Sequence, residues 1–351
     1  MLTGKSIVVT GGTGSLGKVL IRRLLSGELG EPKRIIVFSR DEAKQHDLRL
    51  AYQHRRAVTD EVIYNNFERM LQFQIGDVRD LHSVAAVLRR ADVVFNAAAL
   101  KQVPACEYFP FEAVQTNIIG AQNIISAIHE HRLPIETVIG ISTDKACKPV
   151  NVMGMTKAVQ ERLFVCANLH CTDTRFISVR YGNVLASRGS VIPLFHEQIK
   201  RGGPVTITTA DMTRFLLSLE QAVDTVFAAL ADGHPGETYI PRVPSARVTD
   251  LAEVLIADRP IEIQVTGIRP GEKVHEILVS EEEGNRTTAK SRFYIIAPML
   301  PELRTSGEGP ALGREYGSND DLMNKDQLAA MLRQHKLMIE DRLVFEEDML
   351  A

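Results

Sequence analysis

The sequence lacks the features of several classes of protein. Its four cysteines form no Cys-x-x-Cys pair, so we expect free thiols in a reducing cytosol rather than a disulfide framework or a zinc site. The formal net charge of −3 leaves no surplus of the positive charge that nucleic-acid binding needs. No apolar run approaches the roughly 20 residues that cross a bilayer, and no signal-peptide layout precedes the first strand-like run. These absences predict a cytoplasmic protein with no membrane or nucleic-acid partner.

Metal-ligand spacing is missing as well. The sequence has no His-Glu-x-x-His, and His129 and His131 are too close in the chain to share a helix face. We therefore predict no metal site.

Short apolar runs alternate with longer amphipathic segments through the first half of the chain. The runs are continuous and rich in Val, Ile and Phe, which is typical of parallel strands buried on both faces. Between the first two runs, Leu16, Leu20 and Leu24 recur at helical spacing and Gly27 marks the helix end. The alternation predicts an α/β fold with a Rossmann-type, doubly wound parallel sheet. The predicted strands cover residues 6–10, 34–39, 71–76, 93–97, 137–142 and 175–180.

The regularity fades after about residue 183, where Gly, Pro and Thr become frequent. We predict a dinucleotide-binding domain over residues 1–182, to which residues 217–241 return. Residues 183–216 and 242–300 then form a smaller, interleaved α+β substrate domain, and residues 301–351 form a C-terminal extension.

Further helices are predicted at residues 219–231, 248–257 and 320–334. Residues 305–310 resemble a flexible link because they are rich in Gly, Ser and Thr. The charged stretch 41–69 is long for a connection, and it predicts an additional helix or a contact with a partner.

The first strand runs into a glycine-rich turn that opens the first helix, with the spacing G-x-x-G-x-x-G. Glycine lets the backbone turn sharply and approach a pyrophosphate, and the helix N-terminus presents N–H groups and positive dipole to the phosphates. The alternative is a turn without a ligand, but the position between strand and helix favours a dinucleotide. The predicted contacts of this turn are Gly11, Thr13, Gly14, Ser15, Leu16 and Gly17.

The end of the second strand predicts which dinucleotide binds. Arg40 can pair with a 2′-phosphate, Ser39 can donate a hydrogen bond to it, and Lys44 lies one turn further on. NADP is therefore favoured over NAD. The alternatives are that Lys44 is a solvated helix charge and Asp41 a helix N-cap. If Asp41 instead bound ribose hydroxyls, NAD would be the cofactor.

Two more strand ends fit the same pocket. Asp77 and Val78 follow the third strand, where a carboxylate can accept a hydrogen bond from the adenine amine. Ala97, Ala98 and Ala99 follow the fourth, where small residues let the backbone approach the cofactor ribose. Each is consistent with ordinary packing alone, and together with the glycine turn they reinforce one another.

The fifth strand ends in Thr143-Asp144-Lys145, at the position where this architecture binds ligands. Met153 and Lys157 follow on a helix and share one face. Lys157 is a candidate to bond the nicotinamide ribose and make the local field positive. The alternatives are a surface lysine at Lys157 and a loop-surface ion pair between Asp144 and Lys145.

These runs resemble the extended short-chain dehydrogenases/reductases. Within that superfamily, the chain is similar to the nucleoside-diphosphate-sugar 4,6-dehydratases that act on UDP-N-acetylglucosamine in bacterial surface-polysaccharide biosynthesis. The resemblance covers about residues 1–280. One departure is that Met153 stands where most of the superfamily has the tyrosine of Tyr-x-x-x-Lys. The matching runs include TGGTGSLG at 10–17, GDVRD at 76–80, STDKACKPVNVMGMTK at 142–157, YGNVLASRGSVIPLF at 181–195 and RPGEKVHE at 269–276.

The resemblance implies a reaction in which C4 is oxidised, water is eliminated across C5 and C6, and C6 is reduced. Lys145 is then the base at C5, Asp144 the acid at O6 and an alternative base for the C4 hydroxyl, and Thr143 the hydrogen-bond donor to the C4 oxygen. Met153 has no basic group. A basic Lys145 needs a lowered pKa, for which nearby Lys157, partial burial and cofactor charge are candidate causes. A 4-keto sugar also permits inversion at C5.

The resemblance further implies residues for the nucleotide sugar. Arg269 is the diphosphate ligand, Glu272 contacts the nucleotide ribose, and Asn117 is either an active-site residue or a buried group bonded to backbone. Arg214 is a substrate contact or an interface salt bridge. The other implied substrate contacts are Lys101, Asn183, Val191, Ile192 and Pro193, and the other implied cofactor contacts are Tyr181, Gly182 and Asn183.

Three other functions fit parts of this pattern. A UDP-sugar 4-epimerase needs no acid–base pair at C5 and C6, a simple NADP-linked reductase consumes its cofactor, and a non-catalytic NADP-binding regulator tolerates loss of the tyrosine. The pair Asp144 and Lys145 favours the dehydratase over the epimerase, and Lys157 together with this pair and the sugar-side runs counts against the regulator. The resemblance also implies a homo-oligomer, either a dimer or a hexamer.

Overall fold

The computed structural model describes residues 1–53, 61–185, 190–304 and 310–341, and the side chains of residues 61–65 are left aside. Most of the link predicted at residues 305–310 lies outside these ranges. The strands in chain order are β1 (Ser6–Thr10), β2 (Arg34–Ser39), β3 (Leu71–Ile75), β4 (Val93–Asn96), β5 (Thr137–Ile141), β6 (Arg175–Val179), β7 (Val205–Ile207), β8 (Thr213–Phe215), β9 (Thr238–Pro241), β10 (Ser245–Arg247), β11 (Ile263–Val265), β12 (Ile277–Val279), β13 (Thr287–Lys290), β14 (Phe293–Ile296) and β15 (Tyr316–Gly317).

The helices connect these strands, and most of the long ones pack on the sheet. A π-helical turn at Val114–Ile119 and 3-10 turns at Asp144–Ala146 and Pro301–Leu303 complete the described elements. The helices are α1 (Ser15–Leu25), α2 (Glu42–Gln53), α3 (Glu61–Met70), α4 (Leu81–Leu88), α5 (Val103–Tyr108), α6 (Pro110–Ala113), α7 (Gly120–His131), α8 (Val152–Ala167), α9 (Val191–Lys200), α10 (Leu219–Asp232), α11 (Val248–Ile256), α12 (Glu281–Gly284) and α13 (Lys325–Gln334).

Nine strands form the main sheet, in the order β13-β14-β9-β6-β5-β4-β1-β2-β3. The strands from β3 to β9 are parallel, and β14 and β13 add an antiparallel edge. The order reverses between β1 and β4, which is the switch point where doubly wound sheets bind ligands beyond the carboxyl ends of their strands. The predicted Rossmann-type fold is confirmed, and the six predicted strands begin at the predicted residues and end within one residue of the predicted ends.

Two hydrophobic cores lie on opposite faces of this sheet. Ile7 and Val9 pack on the side of α1 and α10, whereas Val8 packs on the side of α4 and α7, and all three are fully buried. Because successive residues of a strand point to opposite faces, only a continuous apolar run fills both cores. The edge strand β3 differs, since none of its residues is fully buried and Gln72 is exposed. The prediction of burial on both faces is therefore wrong for this strand.

The stretch predicted as a long connection holds two helices, α2 and α3, with residues 54–60 outside the described ranges. Helix α10 begins and ends within one residue of its prediction, as does α11. No helix in the described part of the chain is both long enough and apolar enough to cross a membrane.

A second unit forms around α9, α11 and the short pairs β7–β11 and β8–β10. Its boundaries differ from the predicted ones in two places. Residues 287–296, predicted in the substrate domain, form β13 and β14 and extend the main sheet, because β14 pairs with β9. The second difference is that the described residues of the predicted C-terminal extension pack against the rest of the fold. Leu328 and Leu332 of α13 are fully buried in the core of the second unit, and Tyr316 of β15 pairs with β12.

Candidate active site

The glycine turn between β1 and α1 is a tight cradle. Gly11 has a φ of 65°, and a Cβ there would lie 2.7 Å from the backbone N of Ala98. A Cβ on Gly17 would lie 2.5 Å from Cα of Gly12. In the described structure no side chain caps α1 at Gly14. The turn therefore fits a pyrophosphate, since Gly14 is exposed at a helix N-terminus and no residue larger than glycine fits at Gly11 or Gly17 without displacing backbone.

The predicted alanines lie against this turn because of one threonine. The Thr10 hydroxyl donates to Oδ1 of Asn96 at 2.8 Å and accepts from the backbone N of Ala98 at 3.2 Å. These bonds fix residues 97–99 at the ends of β1 and β4, beside the switch point. Of the other residues predicted in the turn, Thr13 is buried and Leu16 packs into the core below.

Asp41, the acidic residue that follows β2, bonds to the first turn of α2. Asp41 Oδ1 accepts from the backbone N of Lys44 at 3.0 Å, and its Oδ2 lies 3.1 Å from Lys44 Nζ. Asp41 is therefore the helix N-cap of α2. Lys44 belongs to an exposed ion pair, while Ser39 Oγ accepts from buried Gln45 at 3.0 Å. Arg40 remains exposed at the strand end.

Asp77 and Val78 also have structural partners. Arg79 grips both carboxylate oxygens of Asp77, and its Nη2 lies 2.7 Å from Oδ2. Burial alone would raise the pKa of Asp77, but the hydrogen bonds and charge of Arg79 outweigh it and lower that pKa. Val78 is buried in the core below α7, and its carbonyl accepts from Asn123. Its side chain faces the sheet rather than the predicted cofactor site.

The 3-10 turn after β5 brings a carboxylate and an amine together. The Thr143 hydroxyl donates to Oδ1 of Asp144 at 2.8 Å, and Lys145 Nζ lies 3.1 Å from the same oxygen. Asp144 is 1% exposed, which rules out the loop-surface alternative for this residue. Its Oδ2 has no hydrogen-bond partner among the described residues. A Cβ built on Gly182 would lie 3.4 Å from that oxygen, so glycine leaves room in front of it.

Lys145 has a second anionic partner that the sequence does not predict. Glu276 Oε1 lies 3.2 Å from Lys145 Nζ, and Glu276 is 2% exposed. Burial of Lys145 would lower its pKa, but the charges of Asp144 and Glu276 outweigh burial and raise that pKa. The expectation of a lowered pKa for Lys145 is therefore wrong. The cause is that two carboxylates, rather than another lysine, surround the amine.

Lys157 is the lysine with a lowered pKa. Its Nζ donates to the carbonyl of Ile141 at 2.8 Å and to Oε1 of Gln160 at 2.9 Å, and the side chain is buried. Burial lowers its pKa to about 8, against the opposing charge of Glu161. The surface alternative for Lys157 is wrong. One turn earlier on α8, Met153 packs among apolar side chains that include Cys106 and Ala113.

Asn117 takes the structural role of its two predicted alternatives. It is fully buried, accepts from the backbone N of Leu100 at 2.8 Å and donates to the carbonyl of Leu100 and to Thr156 Oγ1. It thereby ties the loop after β4 to α8 from within the π-helical turn.

Part of the region predicted to bind the nucleotide sugar contacts the loop that follows the 3-10 turn at Asp144–Ala146. The segment after Arg269 is fastened to the loop before α8, because Asn151 Nδ2 donates to the carbonyl of Gly271 at 2.8 Å and Lys273 Nζ to that of Cys147 at 2.5 Å. Arg269 itself is exposed. Oδ1 of Asn183 and Oε2 of Glu272 are buried and have no hydrogen-bond partner within the described ranges.

Other predicted substrate contacts are partly engaged. Arg214 donates to the carbonyls of Thr213 and Val274, and its Nε lies 3.9 Å from Glu276 Oε1. This arrangement matches the interface alternative and still leaves Arg214 beside Glu276, the partner of Lys145. Lys101 is exposed after β4. Burial raises the pKa of the Tyr181 phenol, which makes Tyr181 a poor substitute for the missing catalytic tyrosine.

Helix α9 does not present all three predicted wall residues to one site. Val191, Ile192 and Pro193 are consecutive at its start, and consecutive residues of a helix point in different directions. Ile192 is 1% exposed and belongs to the core of the second unit, so its predicted place in the uracil wall is wrong. Val191 packs partly on the same core, and Pro193 is half-buried.

A buried ion-pair cluster beneath the site also escapes prediction from sequence. Arg180 bonds Glu161 at 2.6 Å and Glu283 at 2.8 Å, and its Nη1 donates to the carbonyl of Leu278. This cluster anchors β12 and α12 to α8, just beyond Glu276. The sequence signals for Glu276 and for the ion-pair cluster are the charged run 269–276 and Arg180, which directly follows β6, but neither signal has a local pattern that reveals its partner.

Comparison with known proteins places this arrangement among nucleotide-sugar enzymes. Residues 7–298 match the family described as polysaccharide biosynthesis protein. A UDP-glucose 4-epimerase of Rickettsia conorii is 44% identical over 304 residues, 85% of this chain and 84% of that protein. A UDP-N-acetylglucosamine 4,6-dehydratase (inverting) of Campylobacter jejuni is 42% identical over 303 residues, 86% and 85% respectively. The X-ray structure of Pen from Bacillus thuringiensis has a TM-score of 0.85 and 34% identity, and the match covers 96% of this chain and 100% of that one.

Proposed function

The chain belongs to the polysaccharide biosynthesis protein family of extended short-chain dehydrogenases/reductases, and we propose that it is a UDP-N-acetylhexosamine 4,6-dehydratase. At the coarser level it is an enzyme that modifies a nucleotide sugar. One observation supports the dehydratase assignment: the buried carboxylate of Asp144 and the amine of Lys145 meet at the carboxyl end of β5. Among the described residues, Asp144 Oδ2 has no hydrogen-bond partner there. An unpaired buried oxygen is costly unless a ligand group pairs with it.

In the proposed reaction, this chain's residues move protons at three positions of the sugar. Asp144 accepts the proton of the C4 hydroxyl while the Thr143 hydroxyl, which can rotate, bonds the C4 oxygen. Lys145 then takes the proton from C5, which the 4-keto group acidifies. Asp144 gives its proton to the C6 hydroxyl, and water leaves. Met153 takes no part in proton transfer, because a thioether is not a base.

The cofactor proposed is a nicotinamide dinucleotide, which when bound supplies the oxidation at C4 and the reduction at C6. The glycine cradle at Gly11 and the uncapped start of α1 fit its pyrophosphate. NADP is favoured over NAD because Asp41 caps α2 and Arg40 is exposed, where it can bind a 2′-phosphate. Lys157, buried beside the end of β5, is placed to hold the nicotinamide ribose.

The nucleotide sugar is proposed to lie between the 3-10 turn at Asp144–Ala146 and the second unit. Arg269 and Arg214 supply positive charge for the diphosphate. The unpartnered oxygens of Asn183 and Glu272 within the described structure are acceptors for hydroxyl groups of the ligand. Lys101 lies at the sugar edge and Pro193 at the uracil.

The second candidate is a UDP-sugar 4-epimerase, which the relative of that name at 44% identity favours. Both reactions begin by oxidising C4, so the cofactor site does not distinguish them. They differ at C5 and C6, where only the dehydratase needs an acid and a base.

One experiment separates the two. Incubate the protein with UDP-N-acetylglucosamine in heavy water and follow the products by NMR. We expect a 6-methyl, 4-keto sugar with solvent deuterium at C5 and no net production of reduced cofactor, and the same spectra report retention or inversion at C5. Lys145→Ala should abolish elimination without weakening NADP binding. A hexose epimerised at C4 and unchanged at C6 would instead establish the second candidate, and binding without turnover would indicate a regulator.

A homo-oligomer in the cytoplasm is also proposed. Exposed apolar side chains cluster where α5, α6 and α8 meet, and burial against a second copy of this chain would remove them from water. The four cysteines are free, which suits a reducing compartment. Light scattering of the purified protein tests the assembly, and a monomer would reject it. The apolar residues are Tyr108, Phe109, Phe111, Val150, Met155 and Val159.

A further inference from the structure

Glu276 is a buried carboxylate that contacts Lys145, the proposed base. It has no role in the reaction as proposed above. Its Oε1 lies 3.2 Å from Lys145 Nζ, while its Oε2 is buried and has no hydrogen-bond partner in the described part of the chain. Its backbone N donates to Ser318 Oγ at 2.9 Å, which fixes the start of β12. Burying a carboxylate is costly, so a group placed here without full hydrogen bonding calls for an explanation.

We infer that Glu276 accepts the proton that Lys145 must lose before it can act as the C5 base. This rests on the proposed dehydratase function, and in it Glu276 is a positioning residue, because it acts through Lys145. The geometry allows direct transfer, since Oε1 and Nζ lie within hydrogen-bond distance.

The charges around Lys145 explain why an acceptor is needed. Asp144 and Glu276 are the anions facing Nζ, and Arg214 and Lys273 are the cations near it. With both carboxylates ionised the amine is held as an ammonium, as its raised pKa indicates. An ammonium has no lone pair and cannot remove the C5 proton.

Asp144 changes this balance when it takes the C4 hydroxyl proton. Lys145 then faces one carboxylate instead of two, and in a buried site a neutral amine beside a neutral carboxyl group competes with an ion pair. The proton moves from Nζ to Oε1, the freed amine takes the C5 proton, and Asp144 protonates the leaving C6 hydroxyl. At the end Lys145 gives C5 one of its ammonium protons, which exchange with solvent, and it recovers a proton from Glu276, so every proton is accounted for.

Glu276→Gln tests the transfer, because glutamine keeps the size and an acceptor oxygen but cannot take the proton. Enzyme in excess is mixed with UDP-N-acetylglucosamine and the reaction is quenched with borodeuteride, which places deuterium at C4 of any 4-keto sugar. Mass spectrometry then identifies the sugars that carry this deuterium and shows whether they keep the C6 hydroxyl. We expect sugar oxidised at C4 to accumulate with its C6 hydroxyl retained, and water loss to slow at least about 100-fold. Glu276→Asp should recover part of the rate. The control Glu315→Gln removes an exposed partner of Lys148 and should behave as wild type.

Two outcomes would overturn the inference. One is water loss at the wild-type rate in Glu276→Gln, and the other is an equal loss of C4 oxidation and elimination, which a purely structural role produces. If the glutamine variant does not fold, Glu276→Asp decides by the same comparison, with elimination expected to fall more than C4 oxidation.

A second readout does not depend on the sugar. Lys145 is 21% exposed at its side chain, so an amine-acylating reagent can reach it, and Lys33 serves as the exposed reference in the same chain. In the resting enzyme, removing one of two anions should lower the pKa of Lys145 and speed its acylation at a fixed pH in Glu276→Gln. In the substrate complex, the ammonium of this variant has no buried carboxylate left to take its proton, so elimination is still expected to slow. Unchanged acylation rejects the inference even if another substrate is found, whereas a wild-type enzyme that leaves UDP-N-acetylglucosamine intact rejects the proposed function alone.

Discussion

The buried ion pair of Arg180 and Glu283 makes a prediction with a magnitude. Arg180 Nη1 lies 2.8 Å from Glu283 Oε2, and Nη2 lies 3.1 Å from Oε1. Burial alone would raise the pKa of Glu283, but the charge and hydrogen bonds of Arg180 outweigh it and lower that pKa from 4.5 to about 2. The folded protein therefore holds this carboxylate in its charged form far more strongly than the unfolded chain does.

The shift converts into stability through proton linkage. At about 1.4 kcal/mol for each pKa unit, a fall from 4.5 to about 2 corresponds to about 3 kcal/mol at neutral pH. Because the folded pKa is the lower one, this stability is present above the unfolded pKa of 4.5 and is lost as pH falls towards about 2. Between neutral pH and about pH 4, roughly 1 kcal/mol should disappear from this group alone.

Glu283→Gln should destabilise the protein by about 3 kcal/mol at neutral pH, since it leaves the buried guanidinium of Arg180 with Glu161 as its remaining carboxylate. The measurement is urea unfolding at neutral pH and at about pH 4. The variant should lose about 1 kcal/mol less than wild type on acidification. Glu281→Gln, an exposed change in the same helix, should stay within about 0.5 kcal/mol of wild type. An identical pH dependence in Glu283→Gln and wild type would refute the reasoning.

Three further predictions concern the cofactor. Gly11→Ala forces a Cβ to 2.7 Å from Ala98 N at a φ of 65°, so calorimetry should show at least about tenfold weaker binding of NADP and NAD alike; unchanged binding contradicts the cradle. Arg40→Ala should weaken NADP by about tenfold or more and leave NAD unchanged, and equal effects on both would remove Arg40 from the 2′-phosphate. Lys157 is charged below its pKa of about 8 and neutral above it. Cofactor affinity, followed by fluorescence titration, should therefore fall as pH rises through about 8 in wild type and stay flat in Lys157→Met; a matching fall in the variant would assign it to another group.

The sheet is predictable from the sequence because each central strand fills two cores at once. Ile7, Val8 and Val9 are all buried, and a parallel strand covered on both faces is the kind of element that requires such a continuous apolar run. Strand β3 breaks the rule for the same reason, since it lies at the edge of the sheet, where its residues have fewer neighbours to pack against and Gln72 is exposed.

The 3-10 turn at Asp144–Ala146 is predictable in part. Asp144 and Lys145 are adjacent in the chain at the end of a parallel strand, so local order is enough to bring them together. Glu276 reaches Lys145 from a segment more than 100 residues away in the chain, and nothing in the run 269–276 distinguishes it from Glu272. A contact between distant segments is set by packing, which a single sequence does not record.

The protonation of the site bears on which reaction it performs. Epimerisation at C4 needs one group that removes and returns a single proton, and Asp144 with the Thr143 hydroxyl is sufficient for it. Elimination across C5 and C6 needs a neutral carboxyl group and a neutral amine at the same time. An isolated pair of Asp144 and Lys145 does not provide both. After Asp144 has taken the C4 hydroxyl proton, Lys145 would still carry its own extra proton as an ammonium. A third buried group that can take this proton supplies the missing state, and Glu276 is the residue within reach of Lys145. A carboxylate at this position is a costly feature for an epimerase to retain and a useful one for a dehydratase.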